Sequence, residues 1–395
     1  MSVNAWVKIV NGRVVTPGGI LSQGQIIVTE GKIAEVTERN VELPADAEVF
    51  DAQGCYVAPG CIDMHVHGAA GYDFSEVTPE AFRAIARAHA LQGTTALYPT
   101  IAADSGEVFR RAIRTCERVM TEPAGDGACI LGLHLEGNYL NPAMKGAQHP
   151  DHIYPPKPEE YHELLEGTTC IKRWSAAPEL PGALEFGRYA SERGVVVSVA
   201  HTTADYPAVR RAWEAGFTHA THFYNAMTAV HKEGVYKHEG TVEGIYLTEG
   251  MTVEVIADGI HVPPAILQLV CRIKGTEQVA LVTDAMSEAC SEGEKEGICR
   301  RDPRLMIEEG VCKLADGSAI AGSIATGIRL IRTMVREAGC SLSEAVRMAA
   351  ETPARIMGIS ERKGAIRRGM DADLIVFDDD FALRRTMVGG RWVRK

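Results

Sequence analysis

Ten cysteines are spread along this 395-residue chain with no Cys-x-x-Cys pair and no dense spacing. That excludes a disulfide scaffold, which a chain of this length does not need, and predicts reduced thiols. No Gly-x-Gly-x-x-Gly fingerprint or P-loop follows a strand-like run, so nucleotide cofactors are not expected. No apolar run approaches the length of a bilayer crossing. The opening residues 1–15 lack the charged-then-apolar pattern of a secretion signal. The expectation is a cytoplasmic protein with no membrane partner. Positive charge is also short. The formal net charge is −11, which excludes a general nucleic-acid binder, because such a protein needs a basic surface for phosphates. An anionic small substrate stays compatible, since the local field outweighs net charge. Short repeats and low-complexity tracts are absent.

The composition, 46% hydrophobic and 24% charged, suits a globular chain with a large core and room for one big domain plus a smaller one. Residues 1–57 alternate β-branched runs with Gly, Asp and Pro turns, a hairpin pattern. From Ala58 strand-like runs alternate with helix-like ones, which predicts βα units around a parallel sheet. Thr78 caps a helix, Pro79 suits its first position and Glu80 its positive end. Phe82, Ile85, Ala86 and His89 share one face. Gly93 stops that helix, and Thr94–Pro99 follows as strand. Further pairs are helix 184–193 with strand 195–200, helix 207–215 with strand 218–224, and helix 263–273 with strand 278–283. Helices at 326–338 and 343–350 come next. After about residue 360 the hairpin pattern returns. The economical division is one small β domain from segments 1–57 and 360–395, flanking a barrel over 58–359.

Metal-type ligands close several of the apolar runs: His65 and His67 after Cys61, Glu136 after Ile130, His201 after Val195, His222 after Thr218, and Asp284 after Val279. In a parallel α/β barrel all such strand ends converge on one rim. Residues more than two hundred positions apart then meet around one ion. His-x-His on a strand puts both imidazoles on one face, and Gly68 lets the backbone leave sharply. A carboxylate ending an apolar run is costly unless paired or metal-bound, which singles out Glu136. Asp284 beside a metal-bound water could take its proton and pass it to a leaving group. His134 and His219 read as buried structural residues. His89, His152 and His162 read as solvated. Ser323 lacks the Gly-x-Ser-x-Gly elbow and reads as loop.

The stretches PGCIDMHVHG, GLHLEGNYLNPAMKGA, VSVAHTTADY, THFYNAM, IADGIHV, LVTDA and AGS, with GAIRRGMDADLIVFD near the end, resemble the amidohydrolase superfamily. The similarity is close to the N-acetylglucosamine-6-phosphate deacetylases and spans nearly the whole chain. PGCIDMHVHG marks only the superfamily; LHLEG-x-x-LNP-x-x-KGA and TH-x-x-NAM are more specific. The resemblance implies a (β/α)8 barrel with a small β-sandwich built from both terminal segments. It implies that Glu136, His201 and His222 hold the principal divalent metal, that His65 and His67 allow a second, and that Asp284 is the general acid/base. Zinc is the expected ion, with iron, cobalt or manganese as alternatives, one or two per subunit. Asn225 and Ala226 would help hold the sugar phosphate, His261 would contact the substrate near its carbonyl or hydroxyls, and a homodimer is expected. Two positions depart from the family pattern. Gln148, expected to bind substrate, stands where a His is common. The loop after NAM offers Lys232, Lys237 and His238 where an Arg often reaches a phosphate. Which of the three replaces it stays open; Lys237 is counted among the substrate-binding residues, and a Lys is a point charge without the bidentate fork. The implied reaction is hydrolysis of the acetamide of N-acetylglucosamine 6-phosphate. The alternative is deacylation of another N-acyl sugar or an N-acyl amino acid on the same fold.

Overall fold

The computed structural model describes residues 6–122, 125–291, 296–299 and 301–394. Its centre is a parallel barrel of eight strands: β1 Cys61–Val66, β2 Thr94–Ala102, β3 Leu133–Glu136, β4 Ile171–Ala176, β5 Val196–Val199, β6 Phe217–Ala220, β7 Thr252–Ile256 and β8 Val279–Val282. Each pairs in parallel with the next. The ring closes from β8 back to β1 through Asp284 N–H donating to His65 O at 2.9 Å and His67 N–H donating to Ala285 O at 2.9 Å. Most barrel residues are buried, as in parallel sheets covered by helices on the outside.

A helix follows every barrel strand: Pro79–Ala90, Gly106–Met120, Pro158–Glu166, Ala183–Ser191, Tyr206–Glu214, Thr241–Leu247, Pro264–Lys274 and Gly327–Arg336. The first shows why. Thr78 Oγ1 accepts from Ala81 N–H at 3.2 Å, Pro79 fills the first position, and Phe82, Ile85, Ala86 and His89 are buried on one face. His89 is therefore fully buried, not solvated; it lies on the apolar stripe that its spacing from Phe82 and Ile85 dictates. His152 and His162 are half-buried. The sixth strand is shorter than its apolar pattern predicts, ending at Ala220 rather than 224.

The terminal segments form one eight-stranded sheet. Its path runs Arg391–Trp392, Leu383–Val388, Leu374–Phe377, Tyr56–Pro59, Val7–Thr16, Gly19–Thr29 and Lys32–Thr37, with Glu48–Asp51 also paired to Val7–Thr16. The two ends of the chain meet where Ile375 pairs with Ala58. This sheet has its own core, including Ile9, Ile26, Val57, Leu374 and Met387.

One element was not anticipated. Between β8 and helix Gly327–Arg336 stands a four-stranded antiparallel sheet of Gly297–Ile298, Leu305–Glu308, Val311–Leu314 and Ile320–Ser323. Its central hairpin turns at Glu309 (φ 53°) and Gly310 (φ 80°), both left-handed, as a two-residue hairpin loop requires. Ser323 N–H donates to Asp284 O at 2.8 Å, which docks this sheet on the barrel rim. Among the described residues no helix is long and apolar enough to cross a membrane.

Candidate metal centre

His65 lies within β1, and Glu136 is the last residue of β3. His201, His222 and Asp284 each sit two positions past a strand end, with φ of 44°, 30° and 48°. Three non-glycine residues in the left-handed region on one rim amount to stored strain, which the surrounding structure must hold in place. Gly68 is required by close approach: a Cβ there would lie 2.3 Å from Tyr72 O and 2.9 Å from Ser287 Cα.

These ends converge. Glu136 Oε1 is 3.2 Å from His201 Nε2 and 3.0 Å from His222 Nε2, and the two imidazole nitrogens are 3.1 Å apart. The other oxygen, Oε2, is 3.2 Å from His67 Nε2 and 3.5 Å from His65 Nε2. Those two nitrogens are 3.2 Å apart, and Asp284 Oδ1 lies 3.4 Å from His65 and 3.3 Å from His67. A tetrahedral ion with bonds of about 2.0–2.1 Å spaces its ligand atoms about 3.3 Å apart. The donor set thus forms two pockets of ion size, and Glu136 faces both.

The second contacts of these groups fix their orientation. His201 Nδ1 donates to Met144 O at 2.7 Å, and His65 Nδ1 to Glu254 Oε1 at 2.8 Å, so each turns a lone-pair Nε2 toward the centre. Gln148 Nε2 donates to Glu136 Oε2 at 2.9 Å, while its Oε1 accepts from Ala103 N–H at 2.8 Å. Asp284 Oδ1 is buried and accepts no hydrogen bond. Burial alone would raise the Glu136 carboxyl, but His65, His201 and His222 hold it well below the usual range. Burial opposes protonation of His65 as well, yet Asp284 and Glu136 raise it to about 9. The cluster demands positive charge, from protons or from a dication. Its donors are imidazole and carboxylate only, and they fit a divalent first-row metal.

Beside the centre is a buried polar layer in which His134 and His219 lie as the sequence predicts, but whose Arg173 and Glu254 sequence reading missed. Arg173 donates to both oxygens of Glu254, at 2.5 and 2.8 Å, and to Thr221 Oγ1 and Ser198 Oγ. His134 lies between Thr100 Oγ1 at 3.1 Å and Ser175 Oγ at 2.7 Å. His219 meets Thr252 Oγ1 at 2.7 Å, and burial drives its pKa down to about 4. Glu254 interrupts an apolar run just as Glu136 ends one, a signal that could have found it. Arg173 follows Lys172 and reads as a surface residue in sequence.

A cavity of about 790 Å³ opens over the centre, lined by His67, Glu136, His201, His222 and Asp284 and also by Gln148, Asn225, Ala226 and His261. Asn225 Nδ2 donates back to His222 O at 3.2 Å, and Ala226 adopts φ 50°, which tightens this turn. His261 Nδ1 is 2.6 Å from Asp258 Oδ2, and its buried Nε2 has no protein partner. Lys237 is the exception. It does not line its own chain's cavity but lies on an exposed hairpin, His231–Glu233 with Tyr236–His238. The guanidinium cations among the lining residues are Arg301 and Arg304, both from the unanticipated sheet region.

The Amidohydrolase family profile matches residues 56–393. The chain is 31% identical to N-acetylglucosamine-6-phosphate deacetylase of Lysinibacillus sphaericus over 96% of both proteins. It is 30% identical to N-acetylgalactosamine-6-phosphate deacetylase of Escherichia coli O157:H7, over 96% of this chain and 97% of that protein. Its fold superposes on the solved structure of a mutant of the Mycobacterium smegmatis N-acetyl-D-glucosamine-6-phosphate deacetylase, in complex with N-acetyl-D-glucosamine-6-phosphate. The TM-score is 0.89 at 30% identity, covering 100% of each chain.

Proposed function

The chain belongs to the amidohydrolase family, within its amino-sugar-6-phosphate deacetylases, and on that premise we propose that it hydrolyses N-acetylglucosamine 6-phosphate to glucosamine 6-phosphate and acetate. The observation that carries this reading is the Glu136, His201 and His222 triad facing Asp284 in one cavity. Those three residues would hold the principal ion, zinc in this proposal. His65 and His67, with the second oxygen of Glu136, would hold another. A bound divalent ion supplies Lewis acidity for the amide carbonyl and lowers the pKa of water.

The chain's own residues do the rest. Asp284 faces the cavity; it takes a proton from water and returns it to the departing amine, as general base and then general acid. The hydrogen bond of His261 to Asp258 turns Nε2 toward substrate, to meet its carbonyl or a hydroxyl. Asn225 and the Ala226 backbone orient the sugar phosphate. Gln148 orients Glu136 and closes that side of the cavity.

Recognition of the 6-phosphate falls to cations. Arg304 is held by Asp302, with Nη2 at 2.6 Å, and carries its charge on the cavity wall. Arg301 is tied to Glu76 at 2.6 Å and serves the wall itself. Lys237 acts only if a second copy of the chain brings its hairpin over the cavity. The exposed Val235 and Tyr236 of that hairpin support a homodimer with such a contact. Ten cysteines with no disulfide among the described residues support a reducing, cytoplasmic setting.

Release of free amine from N-acetylglucosamine 6-phosphate, its galactosamine epimer and unphosphorylated N-acetylglucosamine tests the reading. Preference for the first supports it. Equal rates with and without phosphate favour the broader N-acyl deacylase, a reading motivated by the pairing of both lining arginines with acids.

A further inference from the structure

A second set of ligand-type side chains lies in the unanticipated sheet, outside the catalytic cavity's donor set. Cys299 follows strand Gly297–Ile298, and Cys312 lies on strand Val311–Leu314. Glu288 comes from the loop that leaves Asp284. One ligand atom from each falls within 4.8 Å of the other two. The two sulfurs are 3.9 Å apart, with Cys299 4% and Cys312 0% exposed. A tetrahedral zinc with Zn–S bonds of about 2.3 Å sets its sulfurs about 3.8 Å apart. A disulfide requires about 2.05 Å. One oxygen of Glu288, Oε2, accepts from Ser287 Oγ at 2.6 Å, which orients the carboxylate.

We propose that Glu288, Cys299 and Cys312 form a structural site for zinc, distinct from the centre at Glu136. Two thiolates and one carboxylate select a borderline-soft ion over magnesium or calcium. The catalytic donor set contains no sulfur, so the two sites differ in chemistry.

The location gives the site its purpose. The four strands hold only two to four residues each. Their buried apolar side chains are few, chiefly Leu305, Ile307 and Val311. Sheets this small gain stability from a metal clip that a thin core does not supply. Leu305, Ile320 and Gly322 of this sheet line the cavity. An ion joining Cys299 and Cys312 to Glu288 fixes that wall to the Asp284 loop. The proposal stands on these residues alone and does not depend on which acyl sugar is cleaved.

Cobalt(II) loading of the full-length, metal-stripped protein tests it. The expected result is a near-ultraviolet thiolate-to-cobalt charge-transfer absorption, which imidazole and carboxylate ligands do not produce. That band disappears in Cys312→Ala. In Glu288→Gln, a variant of a half-buried residue that keeps its volume, the cobalt affinity of the band falls by at least the roughly tenfold that loss of even an outer partner costs. Absence of the band in the folded wild type overturns the proposal. So does a band unchanged in both variants, or mass spectrometry of the native protein showing Cys299 disulfide-bonded to Cys312.

Discussion

His65 Nδ1 stands 2.8 Å from Glu254 Oε1, and the same carboxylate is clamped by the fully buried Arg173. One side of this relationship sets the face that His65 turns to the metal centre. The other side puts an ion pair in the barrel interior, where each charge depends on its partner.

Glu254→Gln leaves Arg173 buried without its counter-charge. The expected loss is about 3–5 kcal/mol, the usual cost of breaking a buried pair from one side. Replacing both members, as Glu254→Gln with Arg173→Met, should restore part of that loss. Urea denaturation of the two variants checks this. A double variant less stable than the single one would contradict the ion-pair account.

Asp284→Asn keeps the shape of the side chain but removes its basicity. Turnover should fall by about 10²- to 10⁴-fold, with metal content at the Glu136 centre retained. Steady-state kinetics beside elemental analysis separates these effects. A variant that is inactive only because it has lost metal would count against the proton-transfer role.

Arg304→Ala should raise KM for the phosphorylated sugar by about tenfold, in line with a charged hydrogen bond of roughly 1.5–3 kcal/mol. It should leave rates on the unphosphorylated sugar unchanged. Lys237→Ala should do the same only if the protein is a dimer, which sedimentation of the same sample establishes.

His89 is buried against Gly68 O at 3.1 Å, and burial lowers its pKa from 6.5 to about 4. The unfolded chain therefore binds this proton at higher pH than the folded one. The His89 contribution is complete above about pH 6.5 and is lost as pH falls toward 4, a change of about 3 kcal/mol. His89→Gln, which keeps a donor for Gly68 O, should flatten the pH dependence of denaturation in that window. An unchanged slope would refute it.

The convergence of His65, His67, Glu136, His201, His222 and Asp284 was legible because each lies at or near the carboxyl end of an apolar run and a parallel barrel gathers such ends. His222 shows the limit: it lies past its strand in a left-handed turn, which apolar periodicity does not register. Arg173 was hidden because strand alternation turns it inward while Lys172 beside it turns out. The sheet over Gly297–Ser323 escaped notice because its strands are too short to show a period. Its turn signals, Glu-Gly at 309–310 and Asp-Gly at 316–317, were in plain view. His89 was misread from its charge type although its spacing from Phe82 and Ile85 placed it on the buried face.

Amine release from N-acetylglucosamine 6-phosphate, measured on chelator-stripped protein before and after zinc is restored, tests the central claim most directly. The account predicts negligible release before and turnover after. No release from the restored, folded protein, or equal release from the stripped one, would contradict it.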